Sequence, residues 1–283
     1  MKKLQILVCA HKADKTTRNS GCYTAIQVGK ILHPELDLGF LKDDVGDNIS
    51  EKNQSFSEWT ALYWGWKNIH DTEYMGLCHY RRYFDCEINE QNIDSLLCND
   101  DILVIKNNDQ VTKSERIRNL SLMTTREDCY IFLDTLVGMY PQFKEKIVEY
   151  FCNSYESVPY SMFIARKEVY NQFCEFMFPL LFAVEKRVKL SGYGRQRRAF
   201  GYFGEFCLGL FISCYNLKTK KIPLKMYNPD GSAITLKWSK KRKLVNFIHT
   251  LVDLLEPTKH EIIVPTDVRV GLKGDGIELK YLP

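Results

Sequence analysis

Tyr74-Met75-Gly76-Leu77-Cys78-His79-Tyr80-Arg81-Arg82-Tyr83-Phe84 is the stretch on which the reading of the fold turns. Its first five residues predict a buried strand. The strand then empties into a histidine, two arginines and two tyrosines. Just upstream, Ser55-Phe56-Ser57-Glu58 has the form of a capping box, serine at the cap and glutamate three residues on. Phe56, Trp59, Leu62, Tyr63, Trp66 and Ile69 follow at helical spacing, so a helix is predicted there, ending at Asp71-Thr72. Further upstream, Leu4 to Ala10 is a continuous run of β-formers that stops at His11-Lys12 and a polar stretch to Ser20. Leu38 to Leu41 and Asp101 to Ile105 predict further short strands. Strand and helix therefore alternate through the first part of the chain, as in a nucleotide-binding type of α/β half. In open α/β sheets, the place where a buried strand stops at a polar loop is where ligand groups are held.

Beyond it, Asp128 to Pro141 and Gln142 to Cys152 predict helices, and Met162 to Ala165 a strand returning to the sheet. Lys167 to Val188 is helical by pattern, with a kink expected at Pro179. After the loop Ser191-Gly192-Tyr193-Gly194, helical spacing resumes from Arg198 to Tyr215. Lys221 to Met226 reads as a strand and Trp238 to Leu255 as a helix. The remaining residues read as a polar, glycine-containing, β-like tail. The fold class expected is α/β, a nucleotide-binding sheet flanked by helices with a helical C-terminal half. The domain organisation expected is one domain over residues 1–225 and a C-terminal extension over 226–283.

Of the 283 residues, 45% are hydrophobic, 26% charged and 13% aromatic, an ordinary globular balance rich in rings. The net charge of +4 is too small to imply nucleic acid, and no nucleic-acid motif is present. None of the ten cysteines forms a C-x-x-C pair, which disfavours a zinc ribbon. Most lie inside apolar runs, as reduced buried thiols do. The apolar run after Met1-Lys2-Lys3 is too short for a signal peptide, and no later run is long enough to span a bilayer. A reducing, cytoplasmic location is expected.

Two constellations carry chemistry. Arg81 and Arg82 at the carboxyl end of a strand suit a diphosphate clamp, because the guanidinium fork binds phosphate oxygens in pairs. The competing reading is two structural arginines paired with neighbouring acids. Gly46-Asp47-Asn48-Ile49-Ser50 with Lys52-Asn53 precedes the predicted helix. Its amides and small polar side chains suit an anion or a ribose; the competing reading is a turn followed by a helix cap.

His11-Lys12, Gly46-Asp47-Asn48-Ile49-Ser50-x-Lys52-Asn53, Glu58-x-Thr60-Ala61-Leu62-Tyr63-Trp64-x-Trp66-Lys67-Asn68 and Gly76-x-Cys78-His79-Tyr80-Arg81-Arg82-Tyr83-Phe84 occur in this order. In these blocks, over roughly residues 4–225, the chain resembles a bacterial family long catalogued as a domain of unknown function. Genes of that family sit in capsule and O-antigen clusters, and its members are regarded as glycosyltransferases with a GT-A-like fold. Arg195-Gln196-x-Arg198-x-x-Gly201-Tyr202-x-x-Glu205 resembles a second stretch of the same family.

The resemblance implies transfer of a sugar, galactose being a first guess, from a nucleotide-sugar donor, UDP-linked by preference. The acceptor would be a capsular, O-antigen or exopolysaccharide glycan, free or lipid-linked. The alternative is a non-catalytic assembly partner that keeps the fold. Donor contacts would come from His11, Lys12, Asp44, Asp47, Asn48, Lys52, Asn53, His79, Tyr80, Arg81 and Arg82. GT-A folds commonly hold a divalent metal with an Asp-x-Asp motif, which this sequence lacks. His79-Tyr80-Arg81 occupies that place, so arginine replaces the metal in the preferred reading and no cofactor is required. Asp85-Cys86-Glu87 is the fallback site for Mn or Mg, through Asp85 and Glu87. Glu205 is the acid chosen as general base; a helix-face glutamate paired with Arg195 or Arg198 is the competing reading. Arg195, Arg198 and Tyr202 are assigned to acceptor or phosphate, or to a solvated basic edge. Lys237 to Leu255 joins a basic start to an apolar face. Packing of that face on the domain is favoured over peripheral contact with the inner face of the plasma membrane.

Overall fold

The run Leu4–Ala10 forms strand β1, buried at every residue but Gln5. In this computed structural model the described residues are 2–107, 113, 115–154, 157–234 and 240–283, without the side chains of 240–243. Nine further strands are described: β2 (Tyr23–Gln27), β3 (Leu41–Lys42), β4 (Tyr74–His79), β5 (Arg82–Phe84), β6 (Ile102–Ile105), β7 (Phe163–Arg166), β8 (Thr219–Ile222), β9 (Leu224–Tyr227) and β10 (Ala233–Ile234). They make one mixed sheet with β1. Strands β3, β2, β1 and β4 run parallel in that order. Beyond β4 the pairing turns antiparallel and divides. Tyr74–Leu77 pair with β7, and His79 pairs with Arg82 of β5. From β7 the sheet continues to β6 and β8; from β5 it continues to β9 and β10.

The chain folds into two compact units. The first comprises residues 1–107, 158–176 and 216–236 and contains the whole sheet. One face of its core gathers Leu4, Ile6, Val8, Tyr74, Tyr83 and Ile164. The helix Trp59–Asn68 packs close to β1, because Gly65 leaves no Cβ to meet Leu7 and the Tyr170 hydroxyl, each 2.7 Å from where it would stand. The second unit comprises 108–157, 177–215 and 237–283, and its described elements are helical. Phe132 and Phe203 stack there at 4.5 Å between the helices Arg126–Met139 and Ala199–Tyr215. Asp134, fully buried, accepts from Arg187 Nη1 and from the amides of Tyr281 and Leu282, which ties down the chain's last residues. The boundary at residue 225 expected from the sequence is not among the cuts between these units.

Several local expectations are corrected. The capping box does not form: Ser57 adopts φ 54°, ending the short helix Asn53–Phe56, and the next helix starts only at Trp59. The run after Cys22 is a strand that its sequence does not announce, while the strand expected over 38–41 is reduced to Leu41–Lys42. Pro223 divides the strand expected over 221–226 between β8 and β9. The supposed β-like tail contains the helix Thr266–Gly274, which buries Val268 and Leu272 one turn apart. Last, the apolar face of the helix Lys240–Leu255 is exposed, not packed. Lys237 and Trp238, with the side chains of Lys240 to Lys243, lie outside the described residues.

Two expectations for solution behaviour follow. Cys98 is exposed, Cys86 is half-buried and the other eight cysteines are buried. Burial raises the thiols of Cys9, Cys78, Cys129 and Cys207 above their ordinary value, so little thiolate forms. A thiol reagent at neutral pH should label Cys98 fast, Cys86 slowly and the rest only on unfolding. Rapid labelling of a third site in the folded protein contradicts this burial.

Asp128, in the first turn of the helix Arg126–Met139, is 3% exposed, and one of its carboxylate oxygens has no hydrogen-bond partner among the described residues. Burial pushes its pKa up from 3.8 to about 6. Between those values the folded chain keeps a proton that the unfolded chain has lost, so stability falls as pH rises through the window. Asp128→Asn should remove that fall and gain about 1–2 kcal/mol at pH 7 but nothing at pH 4. Urea unfolding of both proteins at the two pH values checks it; an equal gain at both assigns the effect to something other than ionisation.

Candidate functional site

Strand order places the candidate site. From β1 the chain goes to β2 and β3 on one side, while β4 lies on the other. The carboxyl ends of β1 and β4 thus lie side by side where the strand order reverses, the place at which open α/β sheets hold ligands. His11 follows β1, and His79 ends β4. The His11 and Tyr80 rings meet edge to face at 5.3 Å just beyond these strand ends. Lys12, beside His11, is exposed.

The loop after β1 is sewn to the turn between β4 and β5. The Thr16 hydroxyl donates to the Tyr80 carbonyl at 2.8 Å, and the Tyr83 hydroxyl donates to the Thr16 carbonyl at 2.8 Å. Arg81 Nε donates to Asp14 at 2.6 Å, and the Asp14 side chain is 2% exposed. Burial pushes the Asp14 carboxyl up, but the Thr16 hydroxyl and amide and the Arg81 guanidinium outweigh it and hold it below its ordinary value. The structural pairing that the sequence left open for Arg81 is therefore present. One edge of its guanidinium is a structural ion pair, while the terminal nitrogens have no hydrogen-bond partner among the described residues. Arg82 stacks its guanidinium over Tyr160 at 4.9 Å.

A second wall is built on Asp43, fully buried at the end of β3. It accepts from the amides of Gly29 at 2.8 Å and Lys30 at 3.1 Å, the Ser50 hydroxyl at 2.5 Å and the Thr60 hydroxyl at 2.8 Å. One carboxylate thereby joins the turn after β2, the 43–53 loop and the start of the helix Trp59–Asn68. Gly29 is required at that turn: its φ is 65°, and a Cβ there would stand 2.7 Å from Asn53 Oδ1. Asn53 and Asn48 turn inward. Asn53 Nδ2 donates to the Ser57 carbonyl and the Thr60 hydroxyl, and Asn48 Nδ2 donates to the Gly46 carbonyl. Asp47 accepts from the Tyr63 hydroxyl at 3.2 Å, and Lys52 closes a single 3-10 turn. Asp44 differs: its Oδ1 is buried with no hydrogen-bond partner among the described residues. A buried acceptor without a donor is the polar atom a ligand would satisfy.

The break at Ser57 places Glu58 between the two walls. The Glu58 carbonyl accepts from Cys9 Sγ on β1, and its carboxylate lies 3.9 Å from His79 Nε2. That nitrogen is 2.7 Å from the Tyr160 carbonyl, which can only accept, so Nε2 carries the proton. Tyr160 itself has φ 69°, uncommon outside glycine. Asp14, Asp43, Glu58 and Tyr160 join this arrangement although the sequence reading does not select them. Glu58 stood inside a recognised block and Asp43 beside a selected residue; nothing local marks Tyr160.

Arg195, Arg198, Tyr202 and Glu205 belong to the second unit. Arg195 lies in the short helix Gly194–Arg197, and Tyr202 and Glu205 in the helix Ala199–Tyr215. Glu205 is half-buried and raises the Tyr150 hydroxyl, after burial and against the opposing effect of Arg116, whose guanidinium covers the Tyr150 ring at 4.0 Å. The fallback metal residues follow β5. Asp85 lies 4.0 Å from Lys225 Nζ, and Glu87 accepts from Asn89. Among the described residues no three His, Cys, Asp or Glu side chains converge. One carboxylate facing an ammonium and another turned to an amide do not fit a divalent ion. No described helix is long and apolar enough to cross a membrane.

Comparison with known proteins bears on both fold and family. The family described as "Domain of unknown function (DUF4422)" matches residues 5–216. No curated protein matches the sequence. Among solved structures, WbbM, a bifunctional glycosyltransferase in its apo form, superposes with a TM-score of 0.66 at 23% identity. The alignment covers 78% of this chain and 45% of that one. The fold is an α/β, GT-A-like one, and this chain spans less than half the length of that protein.

Proposed function

From the premise that the chain belongs to the DUF4422 family, we propose that it is a glycosyltransferase using a nucleotide-sugar donor. The observation that supports this most is the pairing of Arg81 and Asp14 beyond the carboxyl ends of β1 and β4. It presents a pre-oriented guanidinium where an open α/β sheet binds phosphates. The likeness to a glycosyltransferase fold supports the same reading.

In this reaction the bond from the sugar's anomeric carbon to the diphosphate oxygen breaks. The acceptor oxygen forms the new bond, and its proton passes to a base. The leaving diphosphate gathers charge that Arg81 neutralises, with Arg82 and Lys12 as further cations. No step passes through a metal. Asp44 Oδ1 takes a ribose hydroxyl or a base N–H. For the base that takes the acceptor proton the sequence resemblance offers Glu205, and for acceptor or phosphate Arg195, Arg198 and Tyr202. The donor is UDP-linked, with galactose the sugar to test first. The acceptor is a capsular, O-antigen or exopolysaccharide glycan met in the cytoplasm.

The test is calorimetric titration of the protein with UDP, GDP, CMP and dTDP, in Mn²⁺ and in EDTA, followed by turnover of radiolabelled UDP-sugars. UDP binding that survives EDTA is expected. Dependence on Mn²⁺ refutes the metal-free site, and silence towards every nucleotide leaves an assembly role in its place. Glu205→Gln should abolish turnover and leave UDP affinity unchanged; full turnover in that variant removes Glu205 as base.

A further inference from the structure

The helix Lys240–Leu255 is built inside out. Asn246, His249, Asp253 and Glu256 recur at steps of three, four and three residues, so they share one side. That side faces the second unit. Asp253 is 5% exposed and accepts from the Lys113 amide at 2.8 Å, while the other three are half-buried. The opposite side is apolar and bare. Leu244 is 59% exposed, Phe247 60%, Ile248 47%, Leu251 45% and Leu255 86%. A helix that covers its polar stripe and exposes leucine, isoleucine and phenylalanine reverses the usual arrangement of a globular surface. An apolar patch of that kind marks a docking surface.

Charge selects the occupant. Lys237, Lys240, Lys241, Arg242 and Lys243 stand immediately before the apolar stripe, and no acid occurs from 237 to 252. A second copy of this chain would bring the same positive charge, and protein interfaces are depleted in lysine. An anionic bilayer supplies what both halves of the helix lack: an acyl boundary for the stripe and lipid phosphates for the cations. We infer that the outward face of Lys240–Leu255 seats the second unit on an anionic membrane surface, lying in the headgroup plane without spanning it. This inference does not depend on the donor site.

Flotation of the full chain with vesicles of phosphatidylcholine, with and without phosphatidylglycerol, tests it. Wild-type protein should float with the anionic vesicles, less so at high salt, and barely with phosphatidylcholine alone. Phe247→Ser with Leu251→Ser should lower partitioning at least about tenfold, and Lys240→Gln with Lys241→Gln about fivefold per charge. Both serine substitutions fall on exposed side chains, so circular dichroism melting should stay at the wild-type temperature; that check separates lost docking from lost folding. Absence of flotation overturns the inference, as does flotation indifferent to the serine variant. A concentration-dependent dimer, abolished by the serine variant in sedimentation and without vesicle binding, assigns the face to a second copy instead.

Discussion

Arg81→Ala is expected to weaken UDP binding by about 10- to 100-fold, the loss of one charge-assisted pair of hydrogen bonds to phosphate. The geometry makes the effect large for one residue. Asp14 grips Nε at 2.6 Å, which fixes the plane of the guanidinium and leaves its terminal nitrogens for the ligand. Most of the rotamer entropy that a free arginine would lose on binding is already lost in the folded protein. Arg81→Lys should recover only part of the affinity, because an ammonium cannot reproduce the fork. Asp14→Asn is the companion test. It keeps the size of the side chain but removes the charge that orients Arg81, so it should cost less than Arg81→Ala. Calorimetry with UDP in EDTA measures all three. Affinity within twofold of wild type in Arg81→Ala, with an unchanged melting temperature, would remove the arginine clamp and with it the metal-free site.

Asp43→Ala should produce the largest loss of stability, about 3–5 kcal/mol. Four donors converge on this carboxylate: two backbone amides and two hydroxyls, from three separate segments. Alanine leaves them buried around a cavity with no acceptor. At about 2–4 °C per kcal/mol for a domain of this size, the melting temperature should fall by roughly 6–20 °C. Asp43→Asn should lie between, since an amide has one acceptor oxygen where the carboxylate uses two. Thermal melts decide it, and a fall of under about 2 °C would mean that water replaces the carboxylate and that the knot is not structural. Because the same knot holds the loop bearing Asp44, nucleotide affinity should fall with stability in Asp43→Ala but not in Asp128→Asn.

Legibility differed by kind of feature. The strands β1, β4, β6 and β7 were readable because each is a short buried run, and burial on both faces writes itself as unbroken hydrophobicity. The helix Arg126–Met139 was readable within two residues for the same reason of pattern. The start of the helix Trp59–Asn68 was misread, because Ser55 and Glu58 match a capping box that the fold overrides. Asn53 satisfies the Ser57 carbonyl and the Thr60 hydroxyl instead, and Ser57 takes a left-handed turn. The helix Thr266–Gly274 was missed because Gly271 and Gly274 argue locally against helix, while Val268 and Leu272 argue for it only once there is something to bury them against.

The sequence by itself determined the α/β class, the position of the His79–Arg82 turn at the end of a buried strand, and the family blocks. Each of these is local: a run, a period or an ordered motif. Only the tertiary structure decided which arginine is braced, through a carboxylate 67 positions away. It alone showed that Asp43 knots three segments and that Asp44 keeps an unsatisfied oxygen. It alone showed that the amphipathic helix near the carboxyl terminus turns its polar side inward. The physical reason is the same in each case. Periodicity records that a face is apolar or that a group is charged. Which neighbour satisfies it is set by strand order and loop closure, which bring together residues that no local pattern relates.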